Sequence, residues 1–92
     1  MGKAKKSQGC AMTFVCGVDG NARQVFLAGD FNNWDPATSR MTRRNGAFRK
    51  RMQLEPGEHQ YKFIVDGEWQ NDPAAMAQVP NDMGSMNSVV HV

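Results

Sequence analysis

Val25-Phe26-Leu27-Ala28-Gly29-Asp30-Phe31-Asn32-Asn33-Trp34 is an apolar run that ends in a polar corner carrying a large indole. An apolar run stopped by Gly-Asp reads as a buried strand leaving its sheet, and Asn-Asn-Trp-Asp-Pro (32–36) reads as a turn. Trp34 is therefore expected on a loop. An indole flanked by two amides and a carboxylate is costly to leave in water unless the rest of the fold or a ligand covers it.

The chain on either side of this stretch reads as further strands. Residues 11–18 carry Phe14, Val15 and Cys16 and form an expected first strand, after which Asp19-Gly20 supplies a permissive turn. The second strand is expected over 24–30. Beyond the Trp34 corner a short segment at 40–43 meets Asn45-Gly46, a dipeptide that joins adjacent strands as a two-residue hairpin. Phe48, Met52 and Leu54 alternate with Arg49, Arg51 and Gln53, which makes one face apolar and one wet, with Lys50 the exception.

Glu55-Pro56-Gly57-Glu58 is the next turn. Over 59–66, Tyr61, Phe63 and Val65 fall on one face and Gln60, Lys62 and Ile64 on the other, so Lys62 points away from the core. Asp66-Gly67 turns the chain again just before Trp69. Asp72-Pro73 opens a longer polar loop containing Pro80, Asn81, Asp82 and Gly84, and the last strand runs from about Met86 through Val89, Val90 and Val92. No stretch combines a helical period with a cap. Roughly six to eight short strands at this spacing predict an all-β chain folded as an immunoglobulin-like β-sandwich.

Ninety-two residues fit one domain, which buries roughly 60 to 65% of the surface of its unfolded chain. We read residues 1–9 as a disordered basic tail and 10–92 as the folded domain. Eleven Lys and Arg against nine Asp and Glu give a net charge of +2, and much of the excess lies in Met1-Gly-Lys-Ala-Lys-Lys. A nearly neutral folded part argues against phosphate neutralisation, and so against nucleic acid.

Cys10 and Cys16 flank an extended segment and stand roughly 20 Å apart at about 3.3 Å per residue, too far to bridge. With His59 and His91 as the other soft ligands and no close paired spacing, a metal site is not expected, nor is any cofactor. Position 6 is Lys, against a myristoylation signal at Gly2. The stretch 10–18 lacks a small-residue cleavage site, and no apolar run reaches membrane length. The sequence reads as a soluble, cytoplasmic protein without a membrane partner.

Four stretches in order resemble a known family: Leu27-Ala-Gly-Asp-Phe-Asn-Asn-Trp34; Pro56-Gly-Glu-His-Gln-Tyr-Lys-Phe-Ile-Val-Asp-Gly-Glu-Trp69; Asp72-Pro73; and Asn81-Asp-Met-Gly-Ser-Met-Asn-Ser-Val-Val90. They resemble the starch- and glycogen-binding modules (carbohydrate-binding family 48 type) of isoamylases, branching enzymes and the β subunit of AMP-activated protein kinase. The resemblance covers residues from about 23 to 92. It implies a sandwich of the early-set type that binds α-1,4-linked glucans such as glycogen, starch, maltooligosaccharides and cyclodextrin. It further implies Trp34 and Trp69 as stacking platforms and Lys62 and Asn87 as hydrogen-bonding partners. Met83 and Ser85 stand where the kinase form has a sugar-contacting leucine and threonine. The kinase-assembly segment that follows the module in that family is expected to be missing here, and a glycogen-metabolising enzyme or regulator is expected to act in trans.

The chemistry of these residues is consistent with that implication. A glucose ring presents C–H groups on its face and hydroxyls on its rim, so its binder needs flat aromatic surface and a few fixed polar groups. Asn offers donors and an acceptor, and Lys adds charge-strengthened donors. Phe31 is expected to pack inward and fix the loop, with Gly29 giving its backbone freedom and Asn32 and Asn33 bonding locally. Catalysis is not expected, because Asp30, Asp35, Asp66 and Asp72 all lie in turn contexts rather than as a facing pair.

The alternative is a protein-interaction or regulatory domain that does not bind glycan. Arg43, Arg44, Arg49, Lys50 and Arg51 flank the Asn45-Gly46 hairpin, and alternation puts Arg49 and Arg51 on one exposed face. Such charge either keeps a sheet edge from pairing or meets an acidic partner.

Overall fold

The computed structural model describes residues 9–17 and 22–92. The basic tail up to residue 8, the predicted Asp19-Gly20 turn and the end of the first predicted strand at Val18 lie outside the described residues. Eight strands follow in order among the described residues: β1 (Cys10–Cys16), β2 (Val25–Gly29), β3 (Thr42–Arg44), β4 (Ala47–Leu54), β5 (Glu58–Val65), β6 (Glu68–Gln70), β7 (Ala77–Pro80) and β8 (Met86–His91). They form two antiparallel sheets, β1-β4-β3 and β2-β5-β8-β7, with β6 also paired to β5. The chain is an all-β sandwich.

The alternating pattern sets the register. Phe14 pairs with Lys50 and Cys16 with Phe48, while Val25 pairs with Val65 and Leu27 with Phe63. Phe14, Leu27, Phe48, Leu54, Tyr61, Phe63 and Val65 thereby meet between the sheets in one core. The Phe14 and Tyr61 rings stand edge to face at 4.8 Å, and Tyr61 meets Phe63 at 5.7 Å. Such contacts add about 0.5–1.5 kcal/mol per pair beyond area burial.

The Asn45-Gly46 and Asp66-Gly67 dipeptides turn their hairpins with both residues at positive φ (51° and 82°; 49° and 89°), as a two-residue turn matched to strand twist requires. The Asp66 carboxylate also accepts the backbone N–H groups of Arg23 and Gln24, which ties this hairpin to the start of β2.

Three expectations are corrected. Residues 77–80 form an edge strand and not part of a loop: β7 pairs with β8 from Ala77↔Val89 to Pro80↔Met86. Pro80 is accommodated because it ends a strand at the sheet edge, where its missing donor is least needed. Second, β2 stops at Gly29, and Asp30–Asn32 form a single 3-10 turn. Third, Gly29 has φ −170°, an extended conformation open to any residue, so backbone freedom is not its purpose. A Cβ there would lie 2.5 Å from the Phe31 ring and 2.6 Å from the Gln60 carbonyl oxygen. Gly29 is required for space.

The Asp72-Pro73 corner is pinned to the core. The Tyr61 hydroxyl donates to Asp72 Oδ2 at 2.6 Å and the Asp72 N–H donates to Ser88 Oγ at 2.8 Å. Burial, with the Asp72 carboxylate beside it, pushes the Tyr61 phenol well above its ordinary value, so it serves as a neutral donor. No helix among the described residues is long and apolar enough to cross a membrane.

Candidate carbohydrate-binding site

The site lies on the outer face of the five-stranded sheet. Lys62 and Ile64 point there because Tyr61, Phe63 and Val65 point into the core. The pairing of Ile64 with Trp69 puts Trp69 on the same face. Likewise Tyr61 pairs with the inward Ser88, so the neighbouring Asn87 faces outward beside Lys62.

Trp34 arrives from the other side of β5, on the loop that follows β2. The loop is held by Asn32, whose Oδ1 accepts the Gly29 N–H at 3.0 Å while its Nδ2 donates to the Leu27 carbonyl at 2.9 Å and to Ser39 Oγ at 3.1 Å. Asn33 and Trp34 then take positive φ values of 59° and 57°. For a bulky residue that conformation costs about 1–2 kcal/mol, offset here by the bond from the Trp34 N–H to the Gly29 carbonyl at 2.9 Å. Phe31 packs against the core, its ring 5.6 Å from Phe14, and so anchors the loop from beneath.

A cleft of about 590 Å³ is lined by Trp34, Lys62, Trp69, Met83, Ser85 and Asn87, together with Asn81 and Asp82. All six residues singled out from the sequence therefore meet in one place. Trp69 is 46% exposed and Met83 87%, while Trp34 is half-buried. Lys62 is the least expected of the six in its setting: it is only 7% exposed, with its Nζ donating to Ser85 Oγ at 3.0 Å. That hydroxyl takes one of three donors, and a buried ammonium favours a ligand rich in hydroxyl acceptors.

The glycogen recognition site of AMP-activated protein kinase, as a sequence family, matches residues 12–92. This chain belongs to that family. Among individual relatives, the 5'-AMP-activated protein kinase subunit beta-1 of Sus scrofa is 40% identical over 73 residues, covering 79% of this chain and 57% of that protein. The human beta-1 subunit is also 40% identical over 73 residues, or 26% of its length. The mouse beta-2 subunit is 40% identical over 70 residues, covering 76% of this chain and 25% of that subunit. The chain thus spans between a quarter and about three fifths of these relatives. In architecture it resembles part of a maltogenic amylase from S. marinus, with a TM-score of 0.78 at 18% identity over 92% of this chain and 14% of that one.

Within this glycogen-recognition fold, the sequence did not single out Asn81 and Asp82, which line the cleft, or Gln60, which supports it by accepting a hydrogen bond from Asn87. Gln60 and Asn81 bracket Asn87: Asn81 Nδ2 donates to Asn87 Oδ1 at 2.9 Å, and Asn87 Nδ2 donates to Gln60 Oε1 at 3.1 Å. Gln60 could have been found from its parity with Lys62. Asn81 carries no such signal, since an Asn after Pro reads as a turn former.

One titrating group supports the loop from outside the cleft. His59 Nδ1 lies 2.8 Å from Asp30 Oδ1 and His59 Nε2 lies 2.7 Å from the Glu55 carbonyl oxygen. Both partners are acceptors, so both are satisfied only by the imidazolium. The Glu55 carbonyl chiefly, and then Asp30, hold the His59 pKa above its ordinary 6.5 against the opposing effect of burial. A raised folded pKa adds stability that is complete below the unfolded value and is lost as the pH rises through the folded one. The unfolding midpoint is therefore expected to be higher at about pH 6 than at about pH 8.5, a window spanning the ordinary His value. His59→Gln should flatten that slope, and a parent midpoint unchanged across the window would show that the imidazolium contributes nothing.

Proposed function

We propose that this chain is a non-catalytic module, residues 10–92, that binds α-1,4-linked glucans through Trp34 and Trp69, with Lys62, Ser85 and Asn87 supplying hydrogen bonds and Met83 an apolar edge. The observation that carries this reading is the convergence of two indoles, a buried ammonium and an oriented amide on one open cleft. Glycoside hydrolysis needs two carboxyl groups about 5–10 Å apart, whereas the cleft lining includes a single carboxylate, Asp82. Glycogen, maltooligosaccharides and cyclodextrin are the ligands proposed. We place the module in the cytoplasm, acting with a glycogen-metabolising enzyme or regulator. The names of the relatives, subunits of a protein kinase, favour a regulator.

A second reading has a specific observation behind it. Thr13 pairs with Arg51 and Val15 with Arg49, and Arg44 shares their outward parity through its pairing with Ala47. The outer face of the three-stranded sheet thus gathers Arg44, Arg49 and Arg51 around Val15, which is 40% exposed. This face could meet an acidic protein while the opposite sheet holds no glycan.

A titration with maltoheptaose or β-cyclodextrin, followed by Trp fluorescence at two salt concentrations, separates the two. Neutral sugars release no counterions, so the binding curve should shift less than about twofold when salt rises from roughly 50 to 500 mM. In affinity electrophoresis, amylose should retard the protein and cellulose should not. No fluorescence response to either sugar, or equal retention on both polymers, would remove the glucan reading and leave the arginine face.

A further inference from the structure

The connection between β7 and β8 is built on one side chain. Asn81 Oδ1 accepts the Met83 N–H at 2.9 Å and the Ser85 N–H at 3.1 Å, and Asn81 Nδ2 donates to Asn87 Oδ1 at 2.9 Å. The Asn81 N–H donates to the Ser85 carbonyl at 3.0 Å and closes the loop at its base. Met83, Ser85 and Asn87 are thus touched directly, and Lys62 is reached through the Ser85 hydroxyl.

The arrangement has a direction. Backbone N–H groups can only donate, so the two from Met83 and Ser85 require the oxygen of the Asn81 amide. Its NH₂ must then face Asn87, whose oxygen is required in turn. The NH₂ of Asn87 is left to donate to Gln60 Oε1 at 3.1 Å. Asparagine and glutamine amides are nearly symmetric in shape and flip when nothing distinguishes their ends. Here the loop backbone distinguishes them, and the polarity passes from Asn81 through Asn87 to Gln60.

We infer that Asn81 is a positioning residue of the glucan site: it sets the loop that carries Met83 and Ser85 and fixes which end of the Asn87 amide is presented to the sugar hydroxyls. The inference rests on the glucan-binding reading above. Asn81 needs no sugar contact to act, because it works through Asn87. An Asn87 amide locked in one sense offers a defined donor and acceptor to the ligand, whereas a freely flipping one must be ordered when the ligand binds.

Asn81→Asp isolates this effect. The carboxylate keeps both backbone N–H bonds but cannot donate to Asn87, so the Asn87 amide must reverse to give its NH₂ to the new oxygen. Affinity for β-cyclodextrin should fall about fivefold or more, the scale of one misplaced hydrogen bond, with little change in the unfolding midpoint. In an Asn87→Ala background the same substitution should cost less than about twofold, since the group it reorients is gone. Acidification toward about pH 4, near an ordinary Asp pKa, should restore part of the loss, because a protonated carboxyl can donate again. A merely structural role gives no such recovery. Asn81→Ser, too short to reach Asn87, should lose affinity with no recovery at low pH and guards against misfolding of the first variant. Parent-like affinity in both variants, or full additivity with Asn87→Ala, overturns the inference while leaving glucan binding in place. A parent that binds no glucan overturns both.

Discussion

Trp69→Ala and Trp34→Ala are each expected to weaken glucan binding at least tenfold, about 1.4 kcal/mol, while the β-sheet circular dichroism stays that of the parent. A sugar hydrogen bond on an open surface replaces one to water and nets only about 0.5–1.5 kcal/mol. The expected dissociation constants of about 10 μM to 1 mM, or roughly 4 to 7 kcal/mol, would therefore draw much of their energy from apolar contact between the sugar faces and the proposed indole platforms. With two platforms sharing that role, losing one removes a large share of it.

The stability readout distinguishes a platform from a core residue. A buried Trp→Ala typically costs about 3–5 kcal/mol. Trp69 is 46% exposed and sits on the outer face across from Ile64, so its loss should leave the unfolding midpoint nearly unchanged. Trp34 is half-buried and its backbone bond to Gly29 survives truncation, so only a modest drop is expected. Full-strength binding by either variant would remove that indole from the site, and an unfolded variant would make it a core residue.

Much of this arrangement is legible in the sequence because it depends on short-range rules. Asn45-Gly46 and Asp66-Gly67 declare their turns, and the alternation of Tyr61, Phe63 and Val65 with Lys62 and Ile64 declares which face of β5 is the core. What escapes is set by contacts between distant parts of the chain. β7 is hidden because Pro80 and the polar residues around it read as loop, yet pairing with β8 and the Gln78 bond to the Asp72 carbonyl order them. Lys62 is buried and its Nζ bonds Ser85 Oγ, 23 residues further along the chain, which strand alternation cannot reveal. Asn81 looks like any turn residue until its two ends are seen to face backbone donors and Asn87. The same holds for Gly29, whose reason is a ring and a carbonyl that approach from elsewhere.

Gly29→Ala should accordingly be among the most damaging single-methyl changes in the domain. The added Cβ would lie 2.5 Å from Phe31 Cε2 and 2.6 Å from the Gln60 carbonyl oxygen, both well inside van der Waals contact. The ring can swing, though it rests on Phe14 at 5.6 Å and would lose part of that packing. The carbonyl cannot move alone, because β2 and β5 are zipped from Val25↔Val65 to Gly29↔Tyr61. Overpacking of this kind costs about 1–3 kcal/mol, and each kcal/mol lowers the midpoint of a domain this size by about 4–8 °C. Displacement of Phe31 would also disturb the Asn32 bond to the Gly29 N–H and with it the loop presenting Trp34, so glucan affinity should fall alongside stability. Adding Phe31→Leu separates the two clashes: it makes room on the ring side and should recover part of the midpoint, while the contact with the Gln60 oxygen persists. A Gly29→Ala protein that melts with the parent would mean that β2 and β5 can spread at this end, and that the glycine is not needed for close approach.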